Sequence, residues 1–373
     1  MSGVDRSVLF TPFDLGGITL KNRFVMPAMT RSRCPADGVP DDHSVAYYSQ
    51  RAGAGLVLGE GTTPMAGGAS FPGVPGIHEP AHIAGWRRVT DAVHAAGGRM
   101  FLQLWHSGRV SHRDWQPDGR LQGGPSPIQA VGGLMMTPDG KMTDPETPRE
   151  FDEADIQALV DGFARAARNA IEAGFDGVEI HGANGYLVHQ FISDRSNQRS
   201  DRWGGSVQKR IRFPLAVAEA VSAEIGGART GIRVSPTATH QDGLTSDPAD
   251  VYPPLITALN RFDLAYVHCI EGQPGGNNVH HPGELEFDFP AARRLFKNAW
   301  IANNFYDPDK AAAAINAGDA DLVSFGRPFI SNPDYPERIR RGAPLNEIDR
   351  DKLYAGKGAV GYTDYPSLEE ALA

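Results

Sequence analysis

The sequence predicts a (β/α)8 barrel, an α/β fold closed by eight parallel strands. Three observations lead there: eight short apolar or β-branched runs, helical spacing between most of them, and runs that are apolar throughout rather than alternating, as strands buried on both faces are. The runs are FVMPAMT (24–30), GLVLGEGT (55–62), RMFLQLWH (99–106), GVEIHGA (177–183), TGIRVSP (230–236), LAYVHCI (264–270), WIANNF (300–305) and LVSFGRP (322–328). The whole chain, 1–373, is read as one barrel. No sequence repeat competes with that reading.

Ahead of the first run, residues 9–20 read as a hairpin turning at Gly16-Gly17, able to plug the lower end of the barrel. Pro80 opens a helix over 80–96. After the third run comes a stretch rich in Gly, Pro and polar residues, 107–150, long enough to be an excursion over a site. The clearest helix spans 152–172, where Ile156, Leu159, Val160, Phe163, Ala167, Ala170 and Ile171 recur at three and four; Asp152 or Glu153 can start it and Gly174 stop it.

The 373 residues carry 36 Lys and Arg against 45 Asp and Glu, a net charge of −9 with no basic block, which favours neither nucleic acid nor an anionic membrane. No apolar run reaches membrane-helix length, and the first ten residues lack a signal-peptide pattern, so neither secretion nor membrane insertion is expected. Cys34 and Cys269 form no metal-type or redox-type pair and suit free thiols in a reducing cytoplasm. HEPAH (78–82) matches a zinc pattern formally, but Pro80 puts His78 in the loop before the helix, and no metal site is expected. His280-His281 reads as a solvated loop.

Polar residues at the ends of the runs gather at the mouth of a barrel, where barrel enzymes work. They are Thr30, Glu60 with Thr62, Gln103 with His106, His181 with Asn184, Arg233, and Arg327. The ends of the seventh and eighth runs, Asn303-Asn304-Phe305 and Gly326-Arg327, suit an anion, and a phosphate-bearing ligand is expected there. In HGANGYLVHQF (181–191), His181 and Asn184 can grip one carbonyl oxygen and Tyr186 is a nearby phenol, the parts needed to polarise an enone and protonate the enolate.

HGANGYL, together with SNQRSDRWGGS (196–206), QLWHSGR (103–109), GIRVSP (231–236), FGRPFISNPD (325–334) and GYTDYPSL (361–368), resembles the classical branch of the Old Yellow Enzyme family from about residue 9 to 368. The resemblance implies an FMN-dependent ene-reductase (NADPH dehydrogenase type) that takes hydride from NADPH or NADH in ping-pong fashion. It places the flavin at the mouth, with Pro27, Ala28, Met29, Thr30 and Gly61 along the ring, Gln103 and Arg233 at the pyrimidine edge, and Tyr354 near the dimethylbenzene end. Asn303, Asn304, Phe305, Gly326 and Arg327 would hold the phosphate. His181 and Asn184 would bind the substrate carbonyl, Tyr186 would deliver the proton, and Phe71 and Trp105 would shape the pocket for small α,β-unsaturated carbonyl substrates and phenolic ligands. Phe71 replaces a frequent Tyr, and Asn304-Phe305 stands where relatives often have a glycine pair, which puts the phosphate donors in question.

Two other readings stand beside this one on the residues. The first is a flavin-free barrel lyase or isomerase using the anion site for a sugar phosphate, although no strand run supplies a Schiff-base lysine. The second is a phenol-binding, redox-sensing flavoprotein. Oligomeric state is left open.

Overall fold

The computed structural model describes residues 4–273, 286–354 and 358–372. Eight parallel strands close a barrel: β1 (Phe24–Met26), β2 (Leu56–Thr62), β3 (Met100–Leu104), β4 (Gly177–Gly182), β5 (Thr230–Val234), β6 (Tyr266–Ile270), β7 (Ala299–Asn303) and β8 (Leu322–Ser324). Each pairs with its neighbours in chain order, and β8 returns to β1 through Val323↔Phe24 and Ser324↔Val25. Every strand residue is buried, which is why the runs showed no alternation.

All eight expected runs hold a strand, but the strands are shorter than the runs. Residues 27–30 lie beyond β1 and residues 325–328 beyond β8. At the first, Pro27 has no N–H to continue a ladder. At the second, the chain turns straight into a short helix, Gly326–Ser331.

Among the outer helices are α1 (Asp42–Gln50), α2 (Pro80–Ala95) and α3 (Glu153–Glu172). Helix α3 starts at Asp152, whose carboxylate accepts from the Asp155 amide while the Asp155 carboxylate accepts from the Asp152 amide. It buries Ile156, Leu159, Val160, Phe163, Ala166, Ala167 and Ala170, and the larger of these contribute roughly 1.5–3 kcal/mol each. Gly174 follows at φ 92°, where a Cβ would lie 2.7 Å from Thr90 Oγ1.

Residues 9–20 are not hairpin throughout: Ser7–Phe10 is a 3-10 helix, and the two strands are Phe13–Leu15 and Ile18–Leu20. Gly16 and Gly17, at φ 59° and 87°, make the turn. Leu15 and Leu20 pack with Leu56, Phe101, Ala265, Ala299 and Leu322 at the lower ends of the strands, so the hairpin seals the end opposite the mouth. Between β3 and α3, an antiparallel pair (Met135–Met136 with Met142–Thr143) is tied to the loop after β2, Met136 N donating to Ser70 O at 2.9 Å.

His78 lies outside α2, as the proline implied. His82 is occupied on both ring nitrogens, Nδ1 accepting from Glu79 N at 3.1 Å and Nε2 lying 3.0 Å from Asp37 O. His280-His281 falls outside the described residues. No helix among the described residues is long and apolar enough to cross a membrane.

Candidate active site

Because the strands are parallel and closed, their C-terminal ends form one rim, and the sequence-predicted polar residues share it. Register sets their order: His181 pairs with Arg233, and Glu179 with Gln103. Beyond β1, Pro27 and Ala28 are buried, and Met29 and Thr30 are half-buried. The Arg31 amide donates to Glu60 Oε2 at 3.1 Å, pinning that segment against β2. At Gly61 an added Cβ would come within 3.3 Å of Trp105 and 3.5 Å of Gln103 Oε1, so the glycine leaves room above the strand end.

On β4, His181 is buried and its Nδ1 has no partner. Burial first, then the nearby Arg233 charge, pushes its pKa down to about 3, so the ring is neutral at neutral pH. Asn184, at φ 58°, is held by a 2.8 Å hydrogen bond from its amide to Ser235 Oγ, and its carboxamide oxygen is buried without a partner. Asparagine tolerates that left-handed backbone. Tyr186 is the residue immediately before helix α4 (Leu187–Ile192). Its ring centroid lies 5.6 Å from that of His181 and meets Trp105 edge-on at 5.2 Å. Burial raises its pKa to about 12, which keeps the proton on the oxygen.

Arg233 on β5 and Gln103 on β3 flank β4 on its two sides. Gln103 Nε2 donates to Glu179 Oε1 at 2.7 Å, which turns the carboxamide oxygen of Gln103 outward. Arg233 Nη2 donates to Asn303 Oδ1 at 2.8 Å, and its Nε is buried without a partner. An outward acceptor beside an unused guanidinium donor fits a group presenting N–H next to carbonyl oxygen, as the pyrimidine edge of a flavin does. Together with the unpartnered His181 and Asn184 atoms on and just after the intervening strand, these residues fit FMN.

At the anion end the two asparagine side chains are engaged within the protein. Asn303 faces inward, accepting from Arg233 and donating through Nδ2 to Ser324 Oγ at 2.7 Å. Asn304 Nδ2 donates to Glu271 O and Gln273 O at 2.6 and 2.9 Å, tying down the chain after β6. Both carboxamides are therefore committed within the protein, and any donation to a phosphate falls to backbone amides, Gly326 and Arg327. Asn304 and Phe305 nevertheless adopt φ 94° and 53°, the backbone a glycine pair takes without strain. Held strain of this kind, of order 1–3 kcal/mol per residue, concentrates at binding sites. Arg327 is exposed, Gly326 lies beside Met29, and Phe71 is half-buried in the loop after β2. Tyr354 is 65% exposed and is among the groups whose charge acts on Tyr186, so it lies near the mouth.

Sequence reasoning passed over several residues that the fold brings to the site. Gln241 Nε2 donates to the Tyr186 hydroxyl at 3.3 Å and to Leu134 O at 2.9 Å, joining the phenol to the 107–150 segment. His189 Nδ1 accepts from the Gly185 amide at 2.9 Å and braces the turn that carries Asn184. Glu179, His268 and Ser324 lie behind Gln103 and Arg233. An ionisable residue inside an otherwise apolar strand was the available signal for Glu179 and His268. Gln241 carried none.

The model of the NADH:flavin oxidoreductase / NADH oxidase family matches residues 8–346. The chain belongs to that family. It is 42% identical over 368 residues to 12-oxophytodienoate reductase 1 of Oryza sativa subsp. japonica, covering 97% of this chain and 93% of the relative. Morphinone reductase superposes with a TM-score of 0.91 at 42% identity, over 98% of this chain and 97% of that one. The old yellow enzyme homologue from Zymomonas mobilis gives 0.90 at 40% identity, over 96% and 99%. A structure of morphinone reductase in complex with tetrahydroNAD matches at 0.90 and 41% identity, over 98% and 99%. As a member of this family, the chain is an FMN-dependent oxidoreductase that draws electrons from NAD(P)H. The flavin-free lyase reading is thereby set aside.

Proposed function

We propose that the protein reduces the activated C=C bond of small α,β-unsaturated carbonyl compounds, with His181 and Asn184 as the carbonyl clamp and Tyr186 as the proton donor. The observation that carries this reading is the pair of buried, unpartnered polar atoms, His181 Nδ1 and Asn184 Oδ1, on the same turn as a protonated phenol. Rotating the Asn184 amide by half a turn presents Nδ2 instead, so both residues can donate to one oxygen.

FMN, when bound, supplies two-electron hydride chemistry. Thr30 and Gly61 would lie along its ring, Gln103 and Arg233 would bind its pyrimidine edge, and the backbone at 303–305 with Gly326 and Arg327 would take its phosphate. His181 and Asn184 draw electron density from the enone toward oxygen, leaving the β-carbon electron-poor. Tyr186 then gives its proton to the α-carbon, and the Gln241 amide donates to the phenolic oxygen as charge develops there. Trp105 walls the pocket against the Tyr186 ring. The same clamp accepts phenols, and NADPH or NADH enters the same mouth, so the two half-reactions alternate. The two buried free thiols agree with a cytoplasmic setting.

The test is spectroscopic. Purified protein should be yellow, bleach anaerobically with NADPH or NADH, and recover colour on addition of 2-cyclohexen-1-one. Rapid bleaching followed by slow recovery with every enone tried would favour the phenol-binding redox sensor instead.

A further inference from the structure

Behind the mouth, six strands contribute to one hydrogen-bonded chain. Arg233 Nη2 donates to Asn303 Oδ1 at 2.8 Å, and Asn303 Nδ2 donates to Ser324 Oγ at 2.7 Å. Ser324 Oγ lies 2.9 Å from His268 Nε2, His268 Nδ1 lies 2.8 Å from Glu179 Oε2, and Gln103 Nε2 donates to Glu179 Oε1 at 2.7 Å. Glu179 and His268 are fully buried, and Ser324 and Gln103 nearly so. Hydrogen-bond logic gives the chain a direction. Ser324 Oγ, accepting from Asn303, can donate its hydroxyl hydrogen bond to His268 Nε2, and Nδ1–H then points at the carboxylate, which receives donors from both ends.

We propose that Glu179, oriented by His268, is a positioning residue for the flavin: it locks Gln103 with its amide oxygen facing the mouth, and its negative charge offsets Arg233, setting the reduction potential of bound FMN. This rests on the reading that the pyrimidine edge lies against Gln103 and Arg233. An isolated carboxylate at this depth would cost several kcal/mol, so a buried Glu179 needs the guanidinium of the neighbouring strand as counter-charge. Burial, then Arg233, lowers His268 against the raising effect of Glu179, and a ring that accepts at Nε2 and donates at Nδ1 in the order above is a neutral one. The other groups facing the carboxylate are the buried Tyr266 hydroxyl, raised by burial and then by Glu179 itself, and His181, which is neutral. The charge balance under the flavin is therefore one carboxylate against one guanidinium. Without the carboxylate, Arg233 would act undiminished on the anionic reduced flavin.

The experiment compares FMN potentials in wild-type holoenzyme, Glu179→Gln and Glu179→Asp. Glu179→Gln keeps the shape and removes the charge. Its potential should rise by an amount equal to at least a tenfold change in the oxidised-to-reduced ratio, ~30 mV for a two-electron couple. Glu179→Asp keeps the charge but withdraws from Gln103, so FMN should dissociate roughly tenfold more readily while the potential stays near wild type. An FMN-bound Glu179→Gln protein with an unmoved or lowered potential overturns the proposal. Should neither variant retain FMN, nitrogen-15 spectra of wild-type protein decide: His268, identified by its shift in Ser324→Ala, should be neutral and carry its proton on Nδ1 from pH 6 to 8. A cationic ring would overturn the proposal. Failure of the site reading itself appears separately, as wild-type protein that takes up no FMN.

Discussion

Asn303 Oδ1 accepts a 2.8 Å hydrogen bond from Arg233 Nη2, so the last residue of β7 braces the guanidinium of β5 across the interior of the barrel. The Asn303 side chain fixes a cation, which leaves only the backbone of that residue for an anion. Asn303→Ala leaves that buried donor unpaired, a cost of about 1–3 kcal/mol. The urea midpoint of the variant should fall accordingly and FMN should bind more weakly. An unchanged midpoint would mean that Arg233 finds another acceptor.

Tyr186→Phe removes the phenolic proton while leaving the ring against Trp105 and His181. Enone-dependent reoxidation in stopped flow should slow by roughly 10²–10⁴, the usual weight of a general acid, while reduction by NAD(P)H proceeds at the parental rate. Equal slowing of both half-reactions would point to a disturbed pocket rather than a lost proton. Gln241→Ala, which strips the hydroxyl of its side-chain donor, should slow only the same half-reaction, and by less.

Three histidines near the mouth are held neutral by burial: His181 is pushed down to about 3, and His106 and His189 to about 4. Since an unfolded histidine takes up its proton near pH 6.5, the stability they confer is complete above that pH and is lost as pH falls from 6.5 toward 4. For His189 alone the loss is on the order of 3 kcal/mol. Urea unfolding of FMN-free protein at pH 8, 6.5 and 5 should show the decline, and His189→Asn should flatten it. Because His181 does not titrate in this range, its contribution to phenol affinity should stay level from pH 5 to 8.

Glu60 moves the opposite way. Burial raises its pKa to about 7, against the lowering effects of the Arg31 amide and charge. A carboxyl that holds its proton longer in the folded state gives stability that is full below pH ~4.5 and lost as pH climbs through about 7. Glu60→Gln can still accept from the Arg31 amide and reach Tyr48. It should be more stable than wild type at pH 8, by at most about 3 kcal/mol, and equal to it near pH 4. Equal stability at both values would show that the carboxyl ionises normally in the fold.

Much of the architecture was legible because barrel strands are buried on both faces and so read as continuous apolar runs, while α3 carries its cap, its stripe and its stop in sequence order. Strand ends were less legible. Where β1 gives out at Met26 depends on Pro27 and on a carboxylate from the next strand, and only the first of these is local. The hairpin turn at Gly16-Gly17 was readable from two adjacent glycines, but the 3-10 turn before it was not.

The mouth divides in the same way. Residues whose roles follow from their position at a strand end, such as His181, Gln103 and Arg233, could be nominated from sequence, since parallel strands place all such ends on one rim. What their polar atoms face could not. Asn303 and Asn304 turned inward because Arg233, Ser324 and the chain after β6 offered partners at 2.6–2.9 Å, and those partners lie 21 to 70 positions away in the chain. The sequence by itself determined the barrel, the rim and the kinds of group set on it, because periodicity and strand direction are local properties. The tertiary structure alone decided which polar atoms remain free for a ligand, because a buried donor or acceptor takes whichever partner the packing brings within reach.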